Sequence, residues 1–296
     1  MMRVLVLGAD GFVGRKVVDA LAATDWAAPI AGGRRPREGA VPRIVLDATD
    51  RASLAAAFDG VDAVVNCVAG DAATIERNAA ALFAAAGRRR VVYLSSMAVY
   101  GQATGRIAED APLRTDWGDY AAAKVAAERS AAGADAILLR PGCIYGGGSP
   151  QWSARIATLL RQRRIGDLGK AGDGCSNVVH VDDVASAILA ALRRGASGTA
   201  YNLAMPDAPD WNGYFLAVAR AIGAVPVRRV PAWQLTWDSK ALAVPLALAG
   251  RATHALPPPI APALARFWRH DIRLDPSRAT AELDVAWTPL DLGVRR

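Results

Sequence analysis

The sequence predicts an α/β protein: a Rossmann-type doubly wound parallel sheet with a smaller, mostly helical substrate-binding region toward the C-terminus. Three observations predict it. Short strands that are apolar throughout alternate with Ala-rich helical stretches over the first 145 residues, and strands of that kind belong to parallel sheets covered on both faces. A glycine-rich turn closes the first strand and opens the first helix. After Tyr145 the texture changes, with Gly146-Gly147-Gly148-Ser149-Pro150 as a breaker cluster.

Taken in order, residues 4–7 read as a buried strand and 14–23 as the helix that follows it. Residues 29–32 form a weaker second strand, 44–46 a third with a helix around 53–58, and 63–65 a fourth followed by a helix over 74–86. Residues 91–94 are the fifth strand, 120–132 a helix and 136–139 the sixth strand. Right-handed crossovers wind such a chain into an open sheet that binds ligands at the carboxyl ends of its strands. Beyond the breaker come a basic helix (153–164), a turn-rich stretch to Cys175, and Val178-Val179 leading into a helix over 182–193. From about residue 205 Pro and Trp are enriched, and Pro257-Pro258-Pro259 stops any helix. The expected division is 1–145 plus 178–204 as a dinucleotide-binding domain, and 146–177 plus 205–296 as the substrate-binding region.

Composition excludes several classes. With 296 residues, 52% hydrophobic and 21% charged, the chain can bury a real core and is neither disordered, collagen-like nor a disulfide-stapled miniprotein. The 31 Arg against four Lys, among 64 Ala, give a net charge of +7. Basic clusters must therefore be judged against an Arg-rich background, and the aromatic-plus-basic interleaving of an RNA binder is missing. No run approaches the roughly 18 apolar residues of a membrane span, and the N-terminus lacks the layout of a signal peptide. Cys67, Cys143 and Cys175, like His180, His254 and His270, are too scattered for metal-ligand spacing. A reducing cytoplasm is the expected compartment, with a small-molecule substrate and no nucleic acid, membrane or metal. A second copy of the chain is a candidate partner.

Gly8-Ala9-Asp10-Gly11-Phe12-Val13-Gly14 lies in the first βα turn, where glycines let the backbone approach a pyrophosphate seated on a helix N-terminus. Its spacing is GxxGxxG rather than GxGxxG; alone it is also what a plain strand-to-helix turn looks like. An NAD site generally carries Asp or Glu about 20 residues further on, accepting from the ribose 2′-hydroxyl. Residues 30–37 contain no acid but do contain Arg34, Arg35 and Arg37, and arginines suit a 2′-phosphate. NADP is therefore expected in preference to NAD, against the competing explanation of an Arg-rich surface loop. Asp47 is placed either to accept from the adenine amino group or to begin a helix.

The decisive constellation is Ser95-Ser96 after the fifth strand and, 24 residues beyond Ser96, Tyr120-Ala121-Ala122-Ala123-Lys124. Positions i and i+4 share a helical face, so an ammonium stands beside a phenol and favours the phenolate. A serine hydroxyl bonding the same substrate oxygen completes a proton-transfer site for a carbinol/carbonyl pair.

With these residues the chain resembles the extended short-chain dehydrogenase/reductases, the NAD-dependent epimerase/dehydratase group. Further matching stretches are Leu46-Asp47, Asp62–Gly70, Asn78, Leu94–Gly101, Leu139–Gly146, Val179–Val184 and Tyr201-Asn202-Leu203, covering about two-thirds of the chain, with Glu282–Pro289 resembling the family's ending. The resemblance implies Tyr120 as acid/base, Lys124 as its pKa-lowering and ribose-binding partner, and Ser96 as the substrate hydrogen-bonder. It implies a dinucleotide lined by Gly8, Gly11, Phe12, Val13, Gly14, Arg34, Arg35, Asp47, Val68, Ala69, Lys124 and Pro141. Met97, Trp117, Cys143 and Trp152 are candidate substrate contacts. Cys143 departs from the Asn usual in similar nucleotide-sugar epimerases, and Met97-Ala98 offers no dehydratase acid–base pair beside Ser96. Arg161, Arg163 and Arg164 could hold a diphosphate, although a solvated basic helix face explains them as well.

Plainer roles are expected elsewhere: His180 anchoring a strand end, Asp182 and Asp183 at a helix N-terminus, and Arg88, Arg89 and Arg90 at a solvated helix end. Most of Trp211, Trp233, Trp237, Trp268 and Trp287 are expected in the core, and residues 241–249 in a buried or subunit-facing helix. The leading expectation is an NADP-dependent oxidoreductase acting on a carbonyl or alcohol of a small organic substrate. The alternative is a nucleotide-sugar epimerase or dehydratase with tightly bound NAD(P), and a non-catalytic NADP-binding scaffold is the reading of another class.

Overall fold

Alternating apolar residues explain how the central layer is built. In β1 (Met2–Leu7), Val4 and Val6 point to one face and Leu5 and Leu7 to the other, as the period of two requires. The first pair joins a cluster with Val17, Leu21, Val184 and Ile188; the second joins Leu54, Ile75 and Leu82. The helices behind the first face are α1 (Phe12–Ala22) and α6 (Val181–Arg194). Behind the second stand α2 (Arg51–Ala57), α3 (Ala72–Ala86) and α4 (Asp119–Ser130). The computed structural model describes residues 1–240 and 260–295.

The sheet adds β2 (Ala27–Gly33), β3 (Arg43–Val45), β4 (Ala63–Asn66), β5 (Arg90–Leu94), β7 (Ala136–Pro141) and β10 (Ala200–Leu203). Its order is β10-β7-β5-β4-β1-β2-β3, with every pairing parallel. The chain winds outward from β1 in both directions, so the crevice between β1 and β4 is the topological switch point. Two small parallel pairs were not expected from the sequence. β6 (Gly105–Ile107) pairs with β11 (Ile272–Leu274), and β8 (Cys143–Tyr145) pairs with β9 (Val178–His180). Three-residue strands carry too little alternation to be read from a sequence.

A further apolar cluster gathers Ile156, Leu159 and Leu160 of α5 (Arg155–Arg161) with residues of α7 (Trp211–Ala221) and Trp268. Trp211 and Trp268 are completely buried, packed on Phe215 at centroid distances of 5.7 and 5.3 Å. The expected basic helix is shorter than its pattern suggested. Pro150 opens a single wide turn over Pro150–Ala154, and Arg163 adopts φ +55° after α5 ends. Of the five tryptophans beyond residue 205, most of them expected in the core, Trp211 and Trp268 are buried and Trp287 packs, partly buried, against it, whereas Trp233 and Trp237, on α8 (Ala232–Lys240), are 67% and 63% exposed. The 241–249 tract and Pro257-Pro258-Pro259 lie outside the described residues. Among those described, no helix is long and apolar enough to cross a membrane, and no group of His, Cys, Asp and Glu could hold a metal ion.

One glycine fixes how α1 meets β1. A Cβ on Gly14 would lie 2.2 Å from the Gly8 carbonyl oxygen, so helix and strand pack against bare backbone. Gly14→Ala is expected to cost about 1–3 kcal/mol of stability through overpacking. Urea unfolding measures this, and an unchanged midpoint would show that the turn can shift freely.

Candidate functional site

A cleft of about 760 Å³ opens at the carboxyl ends of β1 to β4. It is lined by the loop carrying Gly8, Asp10 and Gly11, by Gly33 at the end of β2 with Arg34 and Arg35 after it, by Asp47 after β3, and by Val68 and Ala69 after β4. Gly8 has φ +75°, and a Cβ there would lie 2.9 Å from the Cys67 carbonyl oxygen, so this cradle has room only for backbone. Gly11 lines the cleft and caps α1 without a side-chain hydrogen bond, so no capping side chain occupies the first-turn N–H groups, as a pyrophosphate needs. Phe12 and Val13 begin α1 beside this loop, and Pro141 ends β7. These residues fit a dinucleotide.

Asp47 does not cap a helix. Its Oδ1 accepts from the Thr49 backbone N–H and hydroxyl, each at 2.8 Å, while Asp50 caps α2. Those bonds, first the backbone one, hold the Asp47 carboxyl below its usual value. Arg77, from α3, also lines the cleft, and nothing in its sequence neighbourhood marked it.

The sequence reading missed a carboxylate at the end of β2. Asp10 comes from the glycine loop, yet a Cβ placed on Gly33 would meet its Oδ2 at 2.6 Å. The absent side chain of Gly33 thus makes room for an acid from a neighbouring loop. Arg43 of β3 hydrogen bonds to Asp10 and, at 3.0 Å, to the Arg35 carbonyl; Arg37 approaches Asp10 at 3.4 Å. Burial pushes the Asp10 carboxyl up, but Arg43 and then Arg37 outweigh it and hold the group below the usual carboxylate range. A signal did exist, since Asp10 is the one acid among the glycines.

The second half of the site lies past β5. Ser96 caps the short turn Met97–Tyr100, its Oγ accepting from Ala98 N at 3.2 Å. α4 brings Tyr120 beside Ser96, whose hydroxyl lowers the pKa of the phenol. Tyr120 is 47% exposed, but the protein around the ring still desolvates a phenolate. Burial therefore raises its pKa, and the neighbouring Ser96 only partly reverses this. The expected lowering by Lys124 is absent. The Lys124 ammonium is turned to the Leu94 carbonyl at 2.8 Å and lies 6.0 Å from the Tyr120 ring centroid. Lys124 itself is 4% exposed; burial lowers its pKa to about 8, against the opposing charge of Glu128.

The four candidate substrate contacts do not converge equally. Met97 is buried directly after Ser96. Trp117, in the loop before α4, is half-buried, with its ring stacked on His270 at 4.5 Å and covered by Arg266 at 4.6 Å. Trp152 packs against Trp211 and Phe267. Cys143 is 2% exposed, and burial raises its thiol well above its usual value. The plainer roles expected for His180 and the acids after it are seen: His180 caps α6 through Nδ1, with Asp182 and Asp183 in the first turn.

The sequence profile of the NAD dependent epimerase/dehydratase family matches residues 4–204. A 3-diazoavenalumate denitrifying reductase from a Streptomyces species is 30% identical over 267 residues, covering 78% of this chain and 85% of that protein. A 2′-dehydrokanamycin reductase from Streptomyces kanamyceticus is 32% identical over 240 residues, covering 75% and 67%. Among solved structures, a dTDP-glucose 4,6-dehydratase from Bacillus anthracis in complex with NAD superposes with a TM-score of 0.76 at 17% identity, over all of this chain (100%) and 94% of that one. Further structures of this fold likewise hold NAD. This overturns the expectation of NADP. An acid does stand at the end of β2: Asp10, which reaches Gly33 from the glycine loop and lies outside the 30–37 stretch where the expectation placed one.

The Lys124 environment has a consequence for stability. The unfolded lysine titrates near 10.5 and the folded one near 8, so between these values the unfolded chain binds more protons and stability rises with pH. Relative to Lys124→Met, the wild type should gain on the order of 1 kcal/mol per pH unit from pH 8 to 10. Urea unfolding across that range measures it, and a flat difference would contradict a buried, depressed ammonium.

Proposed function

The chain belongs to the NAD dependent epimerase/dehydratase family and carries out its NAD(P)-dependent oxidoreductase/epimerase chemistry; we propose that its cofactor is NAD and that Tyr120, Ser96 and Lys124 perform the proton transfer. The observation carrying this reading is that Ser96, after β5, and Tyr120, on α4, stand side by side past the ends of the same sheet that forms the dinucleotide cleft, close enough for the Ser96 hydroxyl to lower the pKa of the phenol. When bound, NAD supplies a hydride acceptor and donor. As the phenolate, the Tyr120 oxygen takes the proton from the substrate hydroxyl while the carbinol is oxidised, and as the phenol it returns that proton on reduction. Ser96 holds the same substrate oxygen, and Lys124, fixed by the Leu94 carbonyl, keeps positive charge near the phenol and reaches the ribose. Gly8, Gly11, Phe12, Val13 and Gly14 seat the pyrophosphate, with Asp47, Val68, Ala69 and Pro141 along the dinucleotide and Arg34 and Arg35 at the rim. Asp10 accepts from the adenosine ribose.

The substrate class we favour is a sugar nucleotide whose carbinol is oxidised and then re-reduced, with the cofactor retained. Solved structures of this fold combining NAD with such substrates support it. A second reading, net reduction of a free carbonyl compound, is favoured by the two relatives, both of which are named as reductases. Incubation of dTDP-glucose with NAD⁺, and of 2′-dehydrokanamycin with NADH, separates them. Turnover of the sugar nucleotide without net NADH formation supports the first, and stoichiometric NADH oxidation by the ketone supports the second.

Tyr120→Phe should lower turnover by about 10²–10⁴-fold while leaving the NAD dissociation constant within twofold. Undiminished turnover would refute the assigned role. Asp10→Ala should reduce the preference for NAD over NADP by roughly tenfold, the worth of one charge-assisted hydrogen bond of about 1.5 kcal/mol. Calorimetric titration with both dinucleotides reads this, and an unaltered ratio would remove Asp10 from the selection.

A further inference from the structure

Glu128 lies one helical turn beyond Lys124 and two beyond Tyr120, on the same side of α4. It is 6% exposed, and a carboxylate that deep costs several kcal/mol unless it is paired and hydrogen bonded. Its partners come from two other elements. Arg140 of β7 donates from Nε at 3.0 and 3.2 Å and from Nη2 at 2.7 Å. Ser95, the residue before Ser96, donates its hydroxyl to Oε1 at 2.5 Å. The remaining Arg140 nitrogen, Nη1, donates at 2.9 Å to both the Tyr100 hydroxyl and the Glu109 carbonyl. Tyr100 in turn donates to Asn202 at 2.7 Å.

One carboxylate therefore ties together the helix that carries Tyr120 and Lys124, the strand end that carries Ser96, and the neighbouring strand β7. It also carries charge where charge matters. The titratable groups facing Lys124 are Cys67 after β4, Tyr93 of β5 at 5.2 Å, and Tyr120 and Glu128 on α4 itself. Burial raises Cys67 to about 12 and raises both tyrosines, so these three stay neutral near pH 7. Glu128, held by Arg140, supplies the negative charge that opposes desolvation of the ammonium.

We propose that Glu128 is a positioning residue for the reaction: clamped by Arg140, it sets Ser96 against Tyr120 through Ser95 and keeps the buried Lys124 ammonium charged. This rests on the catalytic roles given above to Ser96, Tyr120 and Lys124. A buried ion pair can often be exchanged for apolar groups without loss of stability, so stability alone would not require this pair.

The chain has only four lysines, so protein labelled with ¹³C-lysine allows Lys124 to be titrated individually by NMR, with assignment from Lys124→Met. The test variant is Glu128→Gln combined with Arg140→Met, which removes the carboxylate without stranding the guanidinium. The Lys124 midpoint should fall by about one pH unit or more, and Glu128→Asp should restore most of it. Ser95→Ala keeps the charge and cuts only the tether. Its Lys124 midpoint should stay in place while kcat drops about tenfold at unchanged KM, on whichever of dTDP-glucose and 2′-dehydrokanamycin the enzyme turns over. If the double variant does not fold, Ser95→Ala still decides the matter. A wild-type Lys124 midpoint in the folded double variant, or a wild-type kcat in Ser95→Ala, overturns the inference. If Tyr120→Phe is inactive in the same assays, the catalytic reading survives that failure; if Tyr120→Phe turns over normally, the catalytic reading itself has failed.

Discussion

Every central strand of the sheet is buried on both faces, and that leaves polar chemistry only the strand ends. Val4, Val6 and Val65 pack toward one helical layer while Leu5, Leu7 and Val64 pack toward the other. The backbone groups between them are consumed by parallel ladders on both sides. Hydrogen-bonding capacity becomes free where β1, β2 and β4 run out, and the open helix N-terminus of α1 faces the same edge. The location of the site follows from this burial, because parallel connections deliver every loop after a strand to one side of the sheet.

Behind that edge the protein carries a fully satisfied polar network. Glu128, Arg140, Ser95, Tyr100, Glu109 and Asn202 are all buried, and each makes hydrogen bonds at 3.2 Å or less. Half-satisfied, such a group would cost more than an apolar core; complete, it fixes a single arrangement of the elements it joins. The joined elements are the turn after β5, the catalytic helix and β7. The flexible-looking Ser-Ser loop is thereby as firmly placed as the helix it faces.

The adenosine end of the cleft is built differently, from exposed charges on loops. Asp10, Arg43 and Arg37 meet there because Gly33 has no side chain. Arg34 and Arg35, conspicuous in the sequence, line the rim without closing on a partner of comparable geometry. Screening by solvent makes such surface pairs individually weak. Their effect lies in where they leave a carboxylate and which charges face a ligand.

Local pattern alone determined the alternating strands and helices, the glycine turn, and the pairing of Tyr120 with Lys124 on one helix. These features depend on residues within a few positions of one another, where periodicities of 2 and 3.6 are decisive. The same pattern carried the family motifs through residue 203. What the sequence could not determine involved partners brought together from far along the chain: Asp10 beneath Gly33, Glu128 between Arg140 and Ser95, Trp117 on His270, and the short pair of β6 with β11, which joins residues 105–107 to 272–274. It also misjudged the Tyr120 proton, because a pKa depends on burial and on where an ammonium points as much as on spacing. Lys124 is one turn from Tyr120, yet its ammonium is turned to the Leu94 carbonyl. Tertiary packing decided that direction, since only the folded chain sets the position of β5 beneath the helix.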